Sequence, residues 1–150
     1  MKLVFTVFWL MFASQAFSQN IVGFWQASDT TISSNYQQHY VFSADKKFTY
    51  TPSGYDGLQR VLKIGGHYKL LGNTLYLTPE YTTELKGGAL ERSHITTLND
   101  SWSIEGGQAK TYKIAKPIRQ TVQFKLVKRK KGLCMLLDTW PYYKIKVSAN

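Results

Sequence analysis

The chain has 150 residues, with 19 lysines and arginines against 9 acids and a formal net charge of +10. That length accommodates one domain with a continuous core, and the basic balance favours anionic partners without dictating a fold. A lone cysteine, Cys134, excludes an intramolecular disulfide; within Leu133-Cys134-Met135-Leu136-Leu137 it reads as a small buried residue and not as a nucleophile.

Residues 1–18 read as a cleavable signal peptide. Lys2 supplies the positive start, Leu3 to Phe12 an apolar stretch broken by Thr6, and Ala16-Phe17-Ser18 the small-x-small site of cleavage. The apolar stretch is roughly 10 residues, short of the ~20 that a spanning helix needs. No stop-transfer run follows and no cysteine stands directly after the cleavage site, so neither a transmembrane nor a lipid anchor is expected, and the product is expected to be secreted or periplasmic. Residues 19–150 then form the one mature domain, and losing Lys2 leaves a charge of +9. Export argues against nucleic acid as a partner.

Strand formers dominate the mature chain, and no stretch of it holds a 3.6-residue apolar period. Phe24 to Ser28 opens the first strand. Tyr36 to Ser43 and Lys47 to Pro52 form a hairpin around Ala44-Asp45-Lys46, with Tyr40 and Phe42 on one face of one arm and Phe48 and Tyr50 on one face of the other. The cluster from Pro52 to Gly57 ends it. A strand from Gln59 to Leu70 contains Gly65-Gly66, a pair that marks a bulge or sharp bend. Gly72-Asn73 turns the chain into Thr74 to Thr83, where Leu75 and Leu77 alternate with Tyr76 and Thr78.

Gly87-Gly88 precedes Ala89 to Ile104, one or two strands interrupted near Asn99-Asp100. Tyr112 to Ala115 is short and stopped by Pro117. Thr121 to Val127 and Leu133 to Leu137 pair across the polar turn from Lys128 to Gly132, and Tyr142 to Val147 ends the series. Successive hairpins and glycine-bent strands predict an all-β fold, a single antiparallel up-and-down barrel of about 8–10 strands.

Ile21-Val22-Gly23-Phe24-Trp25-Gln26 places Gly-x-Trp at the start of the first strand, and this resembles the opening signature of lipocalins. The whole mature chain is similar to the small lipocalin-like domains that bacteria export, including the Tyr40-x-Phe42 and Phe48-x-Tyr50 hairpin and the closing Tyr142-Tyr143-Lys144-Ile145. The resemblance implies that Gly23 lets the chain turn beneath the barrel while Trp25 seals its apolar bottom. Where lipocalins place an arginine against that tryptophan, the last strand here offers Lys144 and Lys146, and Arg119 lies on an earlier segment. The Thr-Asp-Tyr element of lipocalins has no clear counterpart.

Aromatic residues at strand spacing suggest either a packed core or a ligand pocket, since a barrel of about 8 strands holds side chains or one small ligand. The pocket version is expected to use Tyr40, Phe42, Tyr50, Arg60, Tyr68, Tyr76 and Trp102 around a small hydrophobic or amphipathic molecule. The alternative is a solid barrel docking envelope lipid, acidic glycan or a protein through basic loops, with Lys128, Arg129, Lys130 and Lys131 as the patch. No catalytic set, metal site or cofactor is expected. His39, His67 and His94 lack close ligand spacing, no Gly-x-Ser-x-Gly occurs, and the glutamates are scattered.

Overall fold

The computed structural model describes residues 20–28, 36–92, 102–130 and 132–145. The signal-peptide segment, His94 and Lys131 lie outside the described residues. All regular structure described is strand: β1 (Gly23–Gln26), β2 (His39–Phe42), β3 (Lys47–Thr51), β4 (Val61–Leu71), β5 (Thr74–Lys86), β6 (Ala89–Arg92), β7 (Trp102–Glu105), β8 (Gln108–Lys113), β9 (Gln120–Arg129), β10 (Gly132–Leu137) and β11 (Trp140–Ile145).

Consecutive strands from β1 to β5 pair with one another, β10 pairs with β9 and β11 with β10, and β11 returns to β1. The lower part of β5 pairs with β9, so eight strands close a ring and no two-layer sandwich forms. β8 runs alongside the upper part of β5, in line with β9 but separated from it by residues 114–119. The remaining pair, β6 and β7, extends the β5–β8 ladder as an outer hairpin. That hairpin is joined to the ladder by Gly87, Gly88, Gly106 and Gly107, all at positive φ, which lets both arms bend together. It leans on the β3–β4 loop, where the Ile104 amide donates to the Gly57 carbonyl at 2.9 Å.

Cross-strand pairing sorts the side chains. Trp25, Tyr40, Tyr50 and Ile64 stand side by side across β1 to β4, as do Phe42, Phe48 and Gly66. These rows face inward, because Phe42 and Phe48 are buried together with Tyr68, Leu75, Phe124, Met135, Leu137 and Tyr142. Residues between them, such as Val41 and His67, face out. Gly65-Gly66 is where β5 gains a residue: Gly65 faces Tyr81 and Gly66 faces Pro79, leaving Glu80 as the bulge. The backbones there approach so closely that a Cβ on Gly66 would sit 2.0 Å from the Thr78 carbonyl oxygen.

The core fills only one end of the ring, the end of the β2–β3, β4–β5 and β9–β10 turns. Ile21 covers it and is 2% exposed. Trp25 is fully buried, and its indole N–H donates to the Ile21 carbonyl at 2.7 Å. The Lys144 ammonium lies over the Trp25 ring, 5.4 Å from its centre, as a cation on the indole face. A methyl group on Gly23 would stand 3.0 Å from Lys144 Cε, so the glycine leaves the lysine stem its path.

Two sequence expectations shift. Lys128 and Arg129 belong to β9 and not to the turn, because pairing continues to Arg129 opposite Gly132. The short strand expected at Tyr112 to Ala115 runs instead over Gln108–Lys113; every residue in it is exposed, so it carries no apolar alternation from which to read its bounds.

Candidate functional site

Above the filled end the interior opens into a cavity of about 490 Å³. Its floor and one wall come from Tyr40, Phe48, Tyr50, Ile64 and Leu77, inward residues of β2 to β5. Pro79 and Thr82 continue the β5 wall, and the segment next to β5 adds Ile114, Lys116, Ile118 and Gln120. The lining is thus mainly aliphatic and aromatic, with a few hydroxyl and amide groups and a single charged side chain, as small-molecule sites usually are.

Tyrosines gather at the floor. The Tyr40 ring lies 4.7 Å from that of Tyr50 and 5.1 Å, edge-on, from that of Tyr142. Gln38, one strand period before Tyr40, joins the other two: its amide N–H donates to the Tyr142 hydroxyl at 3.3 Å, and its carbonyl accepts from Tyr50 at 3.2 Å. Among the described residues no hydrogen bond to the Tyr40 hydroxyl is found. Burial raises all three phenols above their ordinary value of 10, with the neighbouring tyrosines adding to the effect at Tyr40 and Tyr142; Tyr142 is pushed up to about 12. These groups are therefore neutral hydrogen-bonding partners near neutral pH and not bases.

The residues singled out in the sequence are dispersed over the barrel. Tyr40 and Tyr50 line the cavity. Phe42 and Tyr68 lie in the packed core beneath it, ring to ring at 5.0 Å, with the Tyr68 hydroxyl donating to the Ser43 carbonyl at 3.1 Å. Tyr76 faces outward under Arg119, 5.8 Å from its ring centre. Arg60 ties the β3–β4 loop to the top of β5 by donating to the Leu85 and Gly87 carbonyls at 3.2 and 3.0 Å. Trp102 sits on the outer hairpin, half exposed. Lys128, Arg129 and Lys130 are all exposed at the closed end.

Sequence patterns did not single out Gln38, Ile64, Leu77, Thr82, Ile114, Lys116, Ile118 and Gln120. Gln38 was within reach, since the alternation of Tyr40 and Phe42 extends back to it. The 114–120 residues were not, because their inward placement depends on a break in the barrel wall.

His39 stacks outside the barrel on Phe24, ring centres 4.7 Å apart, and His67 pairs outside with Glu80 at 2.8 Å. Among the described residues no three metal-ligating side chains converge. The Cys134 thiol is buried, and desolvation pushes its pKa up.

The family model for the lipocalin-like domain matches residues 21–102, more than half of the chain. The chain belongs to that family. Searches of the curated proteins and of the solved structures gave no match. The matched stretch runs from Ile21, over the indole of Trp25, to the start of β7, and the strands beyond it complete the ring. A lipocalin-like domain implies a ligand-binding β-barrel, and no helix among the described residues is long and apolar enough to cross a membrane.

Proposed function

We propose that residues 19–150 form one exported, non-catalytic carrier that holds a small hydrophobic or amphipathic molecule in the barrel cavity. The observation that carries this reading is the division of the interior: one end is packed with side chains, while above Tyr40, Phe48 and Leu77 about 490 Å³ is left open. Volume and lining both suit a small apolar ligand. Catalysis finds little support, because the tyrosines of the cavity are held neutral and its one charged group is a lysine at the rim.

Native mass spectrometry of the protein purified from its own source tests the carrier directly. A co-purifying molecule, displaced when Leu77→Trp fills the cavity floor, is the expected result. Failure of the unmodified protein to retain or take up any apolar probe overturns the reading.

A second role is favoured by the charge distribution. The closed end carries Lys46, Lys47, Lys69, Lys128, Arg129, Lys130 and Lys144 against two of the described acids, Asp45 and, beside the β4–β5 turn, Asp138. We propose that this end docks on an anionic envelope surface, leaving the cavity free.

A further inference from the structure

Between the pairs Leu77–Gln120 and Tyr81–Lys113, three residues of β5 face six of the other strand. Only one hydrogen bond spans this stretch, from the Ile114 amide to the Glu80 carbonyl at 2.8 Å. The chain from Ala115 to Arg119 therefore leaves the ladder, with a proline on each side of the break, Pro79 and Pro117, neither able to donate a backbone hydrogen bond. The barrel wall is open here.

Three alternate residues of the excursion, Ile114, Lys116 and Ile118, line the cavity. Ile118 is nonetheless 78% exposed, so the mouth of the cavity runs along this segment. On the outer side, a depression of about 370 Å³ is bordered by Glu80, Tyr81, Lys113, Ile114 and Pro117. The inner and outer spaces share Ile114, and the wall between them is one side chain thick. The exposed Ile118 and the half-buried Ile114 at the rims of the gap otherwise leave apolar surface in water; an alkyl chain passing through the gap would cover it.

Lys116 stands between the two isoleucines as the single charged side chain of the lining, and among the described residues it has no ion pair. Resting on the carrier function, we propose that the break between β8 and β9 is the ligand portal, and that the ligand is a single-chain amphipath with an anionic head group held by Lys116. Its apolar chain runs inward to Phe48 and Leu77. The head group stays at the rim, where neither partner has to be fully desolvated. Glu80 faces the outer side of the gap but is occupied by His67, and Lys113 beside it reinforces the preference for an anion.

The test uses dansyl-labelled undecanoic acid and its methyl ester, which share a chain and differ in head-group charge. An exposed ion pair of this kind is expected to make the acid bind about fivefold tighter than the ester at low salt, with the difference shrinking as salt rises. Lys116→Gln should remove the difference and Lys116→Glu should reverse it, the acid-to-ester ratio within each variant being the readout; the side chain is exposed, so neither variant disturbs the core. Equal binding of acid and ester by the unmodified protein, or a difference that survives in Lys116→Gln, overturns the head-group assignment and leaves the carrier standing. Binding of neither probe overturns both.

Discussion

A buried phenol is costly only when its hydroxyl is left without a partner, by about 1–3 kcal/mol. Gln38 removes that cost for Tyr50 and Tyr142 together, which is why an amide stands at the edge of an aromatic cluster. The same burial disfavours the phenolates. Tyr142 is raised to about 12, so between its unfolded value near 10 and that folded value the folded chain keeps a proton that the unfolded chain has lost. Stability from this group is therefore fully present below pH 10 and lost as pH rises toward 12. Tyrosinate absorbance should show a late-titrating fraction that appears only with unfolding, and Tyr142→Phe should flatten the alkaline loss of stability; a single transition at the ordinary tyrosine pKa in the folded protein would contradict this. Alternation alone places Tyr40 and Tyr50 on the inner face. It could not separate Phe42 and Tyr68, one level deeper in the core, from residues that reach the cavity, because depth along the barrel depends on strand stagger and not on strand period.

At the scale of elements, the long β4–β5 pair shapes the molecule. Its bulge at Gly65-Gly66 bends the wall, and the extra residue in β5 changes which side chains face inward beyond it: Leu75 and Leu77 below, Thr82 above. The two glycines serve different needs. A Cβ on Gly65 would meet the tip of the Tyr81 ring at 2.2 Å, and a side chain can swing away. A Cβ on Gly66 would meet backbone, the Thr78 carbonyl oxygen at 2.0 Å and the Glu80 amide nitrogen at 2.9 Å. Gly66→Ala is therefore expected to cost about 2–3 kcal/mol and Gly65→Ala about 1 kcal/mol, read from urea unfolding midpoints. Similar losses at the two positions would refute the distinction. The glycine pair was legible in the sequence as a bend, as were the tight turns and the hairpin built on Tyr40 and Phe48. The portal was not. Pro117 announces that a strand stops, but the gap also requires β8 and β9 to share the same side of β5, a long-range pairing that no local pattern encodes.

For the molecule as a whole, the two ends of the barrel differ in charge as well as in packing. Of the described acids, Asp56, Glu80, Glu84, Glu91 and Glu105 belong to the loop, upper strands and hairpin around the cavity mouth, where they offset the nearby cations. The closed end has two: Asp138, which accepts the Gln123 amide N–H beside the β4–β5 turn, and Asp45, which the Lys47 ammonium grips at 2.6 Å, holding its carboxyl down to about 2 together with a hydrogen bond from Ser43. Six further cations remain there, spread over the β2–β3 turn, the end of β4, the β9–β10 hairpin and Lys144. Such a surface attracts anionic lipid, each cation contributing about 1 kcal/mol close to the membrane and less as salt screens it. Docking by this end directs the cavity mouth away from the surface, so carrier and surface roles do not compete. Vesicles containing anionic phospholipid should bind the protein, purely zwitterionic vesicles should not, and Lys128→Gln, Arg129→Gln and Lys130→Gln combined should weaken binding roughly tenfold or more, with undiminished uptake of an apolar probe. These three positions are exposed and outside the core, so the variant retains the barrel. Binding that ignores both salt and the three substitutions would rule this surface out, and retention of the full-length protein by a nonlipid anionic polymer alone would assign the same charges to a glycan instead.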